Sequence, residues 1–250
     1  MSHHQYRERI TEILNGIFTT QAENIEKAAN VMADCVAGKG LVHLFGSGHS
    51  VLPVQDIFPR YGAFPGFRPL MDARLMWTNV IGSGGAKGLL WLERREGYAQ
   101  VLFENEPIRS GDVMVVFSHG GLNAVGIEVA LESKKRGLTV IAVTSMCNYR
   151  QRQATHSSGK KLVDVADIVI DNCCPSEDAL VKVDGWKAPV AASSTVATVT
   201  ISMQLVAQLA TELAGRGITL PVFVSPNVPG IPANNNDTVY LQYEASLSRS

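Results

Sequence analysis

Short, nearly uninterrupted apolar runs, each followed by a stretch of helical periodicity, recur along this chain and restrict what it can fold into. Residues 41–45 (LVHLF), 113–117 (VMVVF), 138–144 (LTVIAVT) and 168–171 (IVID) are such runs. A strand with one face in water alternates polar and apolar residues, whereas one apolar on both faces has to be covered on both. Alternation with helical segments therefore predicts an α/β chain with a doubly wound parallel sheet and helices on either side. The Pro/Gly-rich segment 63–70 has room for one more strand.

Two of these strands end in the same way. Residues 41–50 run into Gly46, Ser47, Gly48, His49 and Ser50, and residues 113–123 run into Ser118, His119, Gly120, Gly121 and Asn123 before a helix opens. A helix start presents unpaired backbone NH groups and about half a positive charge, and glycine lets a ligand approach the backbone closely. Two such turns in one sheet predict an anion site rather than two ordinary connections. Neither turn is a dinucleotide fingerprint, because GSGHS lacks the third glycine of G-x-G-x-x-G, and no G-x-x-x-x-G-K-[ST] loop is present.

The remaining segments organise around this core. Apolar residues at three- and four-residue steps from Ile10 to Cys35 predict one or two long amphipathic helices, so residues 1–37 read as an N-terminal helical segment. Residues 38–220 form the main domain, and 221–250, with its Pro- and Asn-rich start, reads as a loop-like tail completing it. A polar helix is expected over 89–105, a helix over 124–136, a polar loop through Ser158 and a long closing helix over 195–214. The glycine-rich segment 77–88 is expected to be the most flexible part.

With 22 basic against 23 acidic residues, the net charge of -1 offers no field to attract nucleic acid or an anionic membrane. No apolar run approaches the 18 residues of a membrane span, and the polar N-terminus does not read as a signal peptide, so a cytoplasmic location is expected. Cys35, Cys147, Cys173 and Cys174 lack CxxC spacing, which favours reduced thiols. The histidines lack metal-ligand spacing, so no metal site and no cofactor is expected.

The order of these pieces resembles the SIS, or sugar isomerase, domain. That family carries G-x-G-x-S in its first loop, matched here by Gly46, Gly48 and Ser50. Its S-x-S-G-x-S/T followed by a helix and G-x-x-V-I-A-I-T is matched by residues 118–123 and 137–144. Leu162, Ala166, Asp167 and Ile170 follow its L-x-x-x-A-D-x-x-I strand entry, and Ser193, Ser194 and Thr195 resemble its third ligand-side segment. Residues 35–215 are covered. Within the family, the run HSSGKKL at 156–162 and the tail PVFVSPNVPG are similar to phosphoheptose isomerase-like proteins and to an uncharacterised subgroup.

The resemblance implies a three-layer, flavodoxin-like fold with a five-stranded parallel sheet, a small phosphosugar ligand and a homodimer or higher homo-oligomer built through helices. It places phosphate-binding hydroxyls on Ser50 and Ser118 and backbone donors on His119, Gly120 and Gly121. The chain departs from the pattern at Gly120 and Asn123, where the family has hydroxyls. Ser47 completes the first loop of the cradle.

An aldose-ketose isomerase moves a proton between adjacent carbons and needs a base and an acid. His49 and His119 are candidates because they lie inside the turns. Glu93 and Glu96 enter as base candidates by position, a solvated helix face being their plainer reading. Asp171, Asn172 and Asp178 crowd the end of the last strand and read equally well as sugar contacts or turn formers. The sequence thus points to a sugar-phosphate isomerase using enediol chemistry, with a non-catalytic phosphosugar sensor and an amino-sugar phosphate lyase or etherase as alternatives.

Overall fold

A computed structural model describes residues 2–104 and 106–248. Two helices open the chain, α1 (Ser2–Thr20) and α2 (Ala22–Ala37), separated at Gln21. Then follow β1 (Val42–Gly46), α3 (Val51–Ile57), β2 (Phe67–Pro69), α4 (Ala86–Leu92), α5 (Tyr98–Leu102), β3 (Val113–Phe117), α6 (Ala124–Lys135) and β4 (Thr139–Thr144). The chain continues through α7 (Met146–Gln151), β5 (Ile168–Asp171), β6 (Ala179–Val181), β7 (Val190–Ala192), α8 (Ser194–Gly215) and α9 (Asn235–Leu247).

β1 to β5 form one parallel sheet in the order β2-β1-β3-β4-β5, and β6 pairs antiparallel with β7 apart from it. The two-residue period of a strand explains why these strands are apolar throughout. Val113, Val115 and Phe117 of β3 and Ile141 and Val143 of β4 pack into one core with α2, α3 and α8, while Met114, Val116, Val140 and Ala142 pack into the other with α5 and α6. Three layers result, in the flavodoxin-type strand order. In that order the chain reverses its winding between β1 and β3, and the connections leaving these two strands diverge to opposite faces, which opens a crevice at their carboxyl ends.

Several sequence-level expectations are corrected. The helix expected over 89–105 is two short helices broken at 93–97, where Gly97 takes a left-handed φ of 91° that a continuous helix does not allow; its expected end at Asn105 lies outside the described residues. The polar loop through Ser158 begins with α7, capped by Ser145 Oγ accepting from the Asn148 amide. The tail is a loop only as far as Asn234 and then forms α9, anchored by buried Val239 and by Tyr243, whose ring sits 5.0 Å from that of Phe58. The β6–β7 hairpin had no sequence signal beyond short apolar triplets.

α8 is long and apolar enough, by length and composition, to cross a membrane, contrary to the expectation that no segment is. Its apolarity has another use in the fold: Ala197, Ile201, Leu205, Leu209 and Leu213 are buried in the larger core against α2 and α3. Fully burying each large aliphatic side chain there stabilises by about 1.5–3 kcal/mol, which explains why this helix is apolar beyond one narrow stripe.

Candidate functional site

The two glycine turns meet at the crevice that the topology creates. The β1 turn contributes Ser47, Gly48, His49 and Ser50, and the β3 turn contributes Ser118, His119, Gly120 and Asn123, to one cleft of about 110 Å³. Trp77, Leu89, Leu90 and Glu93 also line it. A larger groove of about 960 Å³ lies at the amino-terminal ends of β1 and β3, beside Gly40 and Asp112. The smaller cleft is the candidate site, because strand ends, a helix start and hydroxyls converge there, at the sheet edge where ligands of open α/β sheets bind.

The β3 turn is shaped for an anion. Ser118 Oγ accepts from the Gly121 amide at 3.2 Å, and Gly121 holds a φ of 63° with its Cα side against Thr144 Oγ1. These contacts fold the turn back on itself ahead of α6. Among the described residues, the amides of Gly120 and Asn123 find no acceptor, so they and the α6 dipole are available to a negative group. No lysine or arginine lines the cleft. An anion bound there is therefore held by amides, hydroxyls and the helix dipole. The Asn123 side chain makes no capping bond to α6, which leaves its amide group for a ligand as well.

Glu93 is the main surprise. As the solvated helix residue suggested by its polar segment it would be exposed, yet it is 5% exposed, with Oε2 accepting from Ser47 Oγ at 2.7 Å. The cause is the break in the expected helix. α4 ends at Leu92, Glu93 turns inward, and its backbone carbonyl accepts from the Val125 amide in the first turn of α6. Burial raises the Glu93 carboxyl above its ordinary value of 4.5, against the opposing pull of the Ser47 hydrogen bond and of Arg94 and His49. A carboxylate held in this way is a proton acceptor poised closer to neutral pH than a surface glutamate.

The two histidines differ. The His49 ring is exposed and lies 6.3 Å, centroid to centroid, from Trp77. The His119 ring is held on both sides: Asn172 Nδ2 is 3.2 Å from Nδ1 and the Asn148 amide 3.2 Å from Nε2. Asn172 Oδ1 accepts from the Cys174 amide and Asn148 Nδ2 donates to the His119 carbonyl, so both asparagines turn NH2 groups toward the ring, which as a neutral imidazole accepts from one of them. Burial also lowers the His119 pKa, so this imidazole is neutral and braced. His49 is the histidine whose ring is exposed at the cleft.

The other sequence candidates are not brought to the cleft. Glu96 is exposed and accepts from the Ser157 amide and hydroxyl, on the far side of the helix break from Glu93. Ser193 and Ser194 are buried and committed to Asp178, whose Oδ1 accepts from both amides at 2.9 and 2.6 Å and whose Oδ2 accepts from Ser194 Oγ at 2.8 Å. Burial pushes the Asp178 carboxyl up, but these hydrogen bonds outweigh it and hold the group below its ordinary value. Asp178 thus caps α8, while Thr195 is half-buried in the first turn of that helix, away from the cleft lining. Asp171 accepts from the Met146 and Cys173 amides. Of these residues, Asp178 and Asp171 stand near enough to His119 to act on its charge. Sequence reading missed Trp77 and Leu89, which have no motif; a lone tryptophan in a glycine-rich segment was the one available sign.

Comparison with known proteins places the fold and the sequence together. A family model described as SIS domain matches residues 5–145. The UPF0309 protein of Listeria innocua is 34% identical over 227 residues, covering 91% of this chain and 90% of its own. The UPF0309 protein of Caldanaerobacter subterraneus is 35% identical over 234 residues, covering 92% and 93%. Among solved structures, phosphoheptose isomerase GmhA from Neisseria gonorrhoeae superposes with a TM-score of 0.56 at 16% identity, covering 82% of this chain and 95% of that one. A phosphoheptose isomerase from Francisella tularensis gives 0.53 at 17% identity, covering 83% and 96%.

Proposed function

The chain belongs to the SIS-domain family, with relatives of the UPF0309 group along its length, and from that premise we propose that it binds a sugar phosphate and isomerises it between aldose and ketose. One observation carries this reading. A buried carboxylate of raised pKa, Glu93, lines the same cleft as the glycine turn 118–123. The phosphate is held by the Gly120 and Asn123 amides with Ser50 and Ser118, which fixes the sugar carbons opposite Glu93. Glu93 takes the proton from the carbon beside the carbonyl and returns it to the neighbouring carbon, so that the base is regenerated. His49, exposed at the mouth, serves proton transfer at the sugar oxygens. Positioned acid-base groups of this kind contribute about 10²- to 10⁴-fold each.

The test is a panel of aldose, ketose and amino-sugar phosphates, read both by thermal shift and by NMR in deuterated water. We expect one aldose-ketose pair to stabilise the chain, by about 2.7 kcal/mol at a hundredfold excess over Kd, and to interconvert with deuterium appearing at the carbon beside the carbonyl. Stabilisation without turnover would leave a phosphosugar sensor. Release of an amine or an ether fragment would identify a lyase. No stabilisation by any sugar phosphate would overturn the reading.

The same proposal includes a homodimer or larger homo-oligomer through the N-terminal helices. α1 buries only Ile13 and Ile17 against its own chain, and Phe18 remains 49% exposed. Sedimentation as a monomer at micromolar concentration would contradict it.

A further inference from the structure

Behind the helix break lies a cluster that the cleft does not use. Glu96, Glu128 and His156 come from the 93–97 turn, from α6 and from the loop after α7, and one ligand atom of each lies within 4.8 Å of the others. His156 Nε2 is 3.8 Å from Glu96 Oε2 and 3.8 Å from Glu128 Oε1. That is too long for a hydrogen bond to either. The imidazole is 7% exposed, and Nε2 is a buried polar atom with no hydrogen-bond partner. A buried nitrogen aimed between two carboxylates and bonded to neither is an exception that requires a cause.

We propose that these three side chains bind one divalent cation of the zinc or manganese class, through Glu96 Oε2, Glu128 Oε1 and His156 Nε2. Nitrogen and carboxylate oxygen suit such ions, and ligand atoms bonded at roughly 2.0–2.2 Å to a common ion stand about 3–4 Å apart. The surroundings fix the donors in advance. Glu128 Oε1 accepts from the Gly97 amide at 2.6 Å, and Glu96 Oε1 accepts from the Ser157 amide at 2.7 Å. Ser158 holds the imidazole from its other side, with Oγ 2.8 Å from Nδ1 and its amide donating to Nδ1 at 3.1 Å. A cation on Nε2 moves the ring proton to Nδ1, which then donates to Ser158 Oγ in place of accepting from the Ser158 amide, the outer hydrogen bond that metal-bound histidines keep.

A proton on Nε2 satisfies the site less well. It meets no acceptor within hydrogen-bond distance and leaves two carboxylates close together with only amides and hydroxyls to offset their repulsion. A divalent ion neutralises both. The spacing of the three residues in the sequence carries no metal signature, and the fold alone assembles them. The ion would tie the turn bearing Glu93 to α6 and to the loop at 155–158, whose Thr155 hydroxyl donates to the Leu122 carbonyl beside Asn123. Its place is therefore structural, at the back of the cleft, and it stands whether or not the cleft isomerises a sugar.

The full-length chain, stripped with a chelator and dialysed, should take up one Zn2+ or Co2+ per protomer by calorimetry and mass spectrometry, with a rise in Tm. The cobalt form should show visible absorption of a low-coordinate site. Glu128→Gln and His156→Ala should each weaken binding by at least about 10- to 100-fold. Glu96→Gln, at an exposed position where the fold is safe, should do the same without lowering the Tm of the metal-free chain. His3 and His4, whose rings lie 4.2 Å apart and tilted on α1, are a rival surface chelator. Uptake that survives all three substitutions would assign the metal to them and overturn the proposal, as would the absence of saturable uptake at a hundredfold excess of metal.

Discussion

Glu93→Gln should lower kcat on the sugar phosphate that this chain converts by about 10²- to 10⁴-fold while leaving that compound's thermal shift intact. Glutamine keeps the volume of the side chain and an oxygen to accept from Ser47 Oγ, the 2.7 Å bond that orients the group. Only ionisation is removed. A mutation that lost binding and turnover together would instead show that Glu93 holds the shape of the cleft. The stability of the same variant has a definite sign. Burial raises the folded-state pKa of Glu93 above 4.5. The stability this group contributes is therefore fully present below its unfolded-state pKa and is lost as pH rises through the higher folded-state value. Glutamine never ionises, so Glu93→Gln should unfold at a higher temperature than the wild type near pH 7, and the advantage should vanish below about pH 4, near the ordinary carboxylate value. Loss of turnover combined with gain of stability at neutral pH is the signature of a group strained for function. A variant with near wild-type kcat would remove Glu93 from the chemistry.

The sheet was legible because its signal is local. Val113, Met114, Val115, Val116 and Phe117 are apolar on both faces, and only a strand covered on both sides requires that. The two glycine turns were legible for the same reason, since each follows its strand directly. Glu93 was not legible. Its segment has the composition of a solvated helix, and what turns it inward is the left-handed backbone at Gly97 together with a hydrogen bond from Val125, 32 positions further on. Ser193 and Ser194 mislead in the opposite direction. Hydroxyls at a helix start suit a phosphate as well as a cap, and the choice is made by Asp178 across the β6–β7 hairpin. His119 belongs to the same class: its place in the turn is written in the sequence, but the two asparagines that brace it come from α7 and from the end of β5. Long-range hydrogen bonds, unlike hydrophobic period, leave no mark on the residues nearby.

Two glycines in these turns should respond to substitution in opposite ways, and the contrast separates backbone demand from family habit. At Gly46 a Cβ would stand 2.0 Å from the Ser50 carbonyl oxygen and 2.6 Å from its carbon. Both are backbone atoms of the turn itself and cannot swing aside as a side-chain end can. Gly46→Ala should therefore displace residues 47–50, abolish the sugar-phosphate thermal shift and lower stability by about 1–3 kcal/mol, the usual range for overpacking a close-packed position. At Gly120 a Cβ would meet nothing within 4 Å, and its φ is not among the positive ones. The family resemblance puts a serine there, so Gly120→Ser should fold normally and add a hydroxyl to a cradle that has no cation of its own. If the ligand is a phosphate, that hydroxyl should tighten binding by about 5- to 10-fold, since one added net hydrogen bond contributes roughly 1–1.4 kcal/mol. A Gly120→Ser chain that folds but binds sugar phosphates more weakly would mean that something larger than a phosphate oxygen occupies this corner. The missing hydroxyl would then be the room made for it, and a carboxylate-bearing sugar would become the ligand to test first.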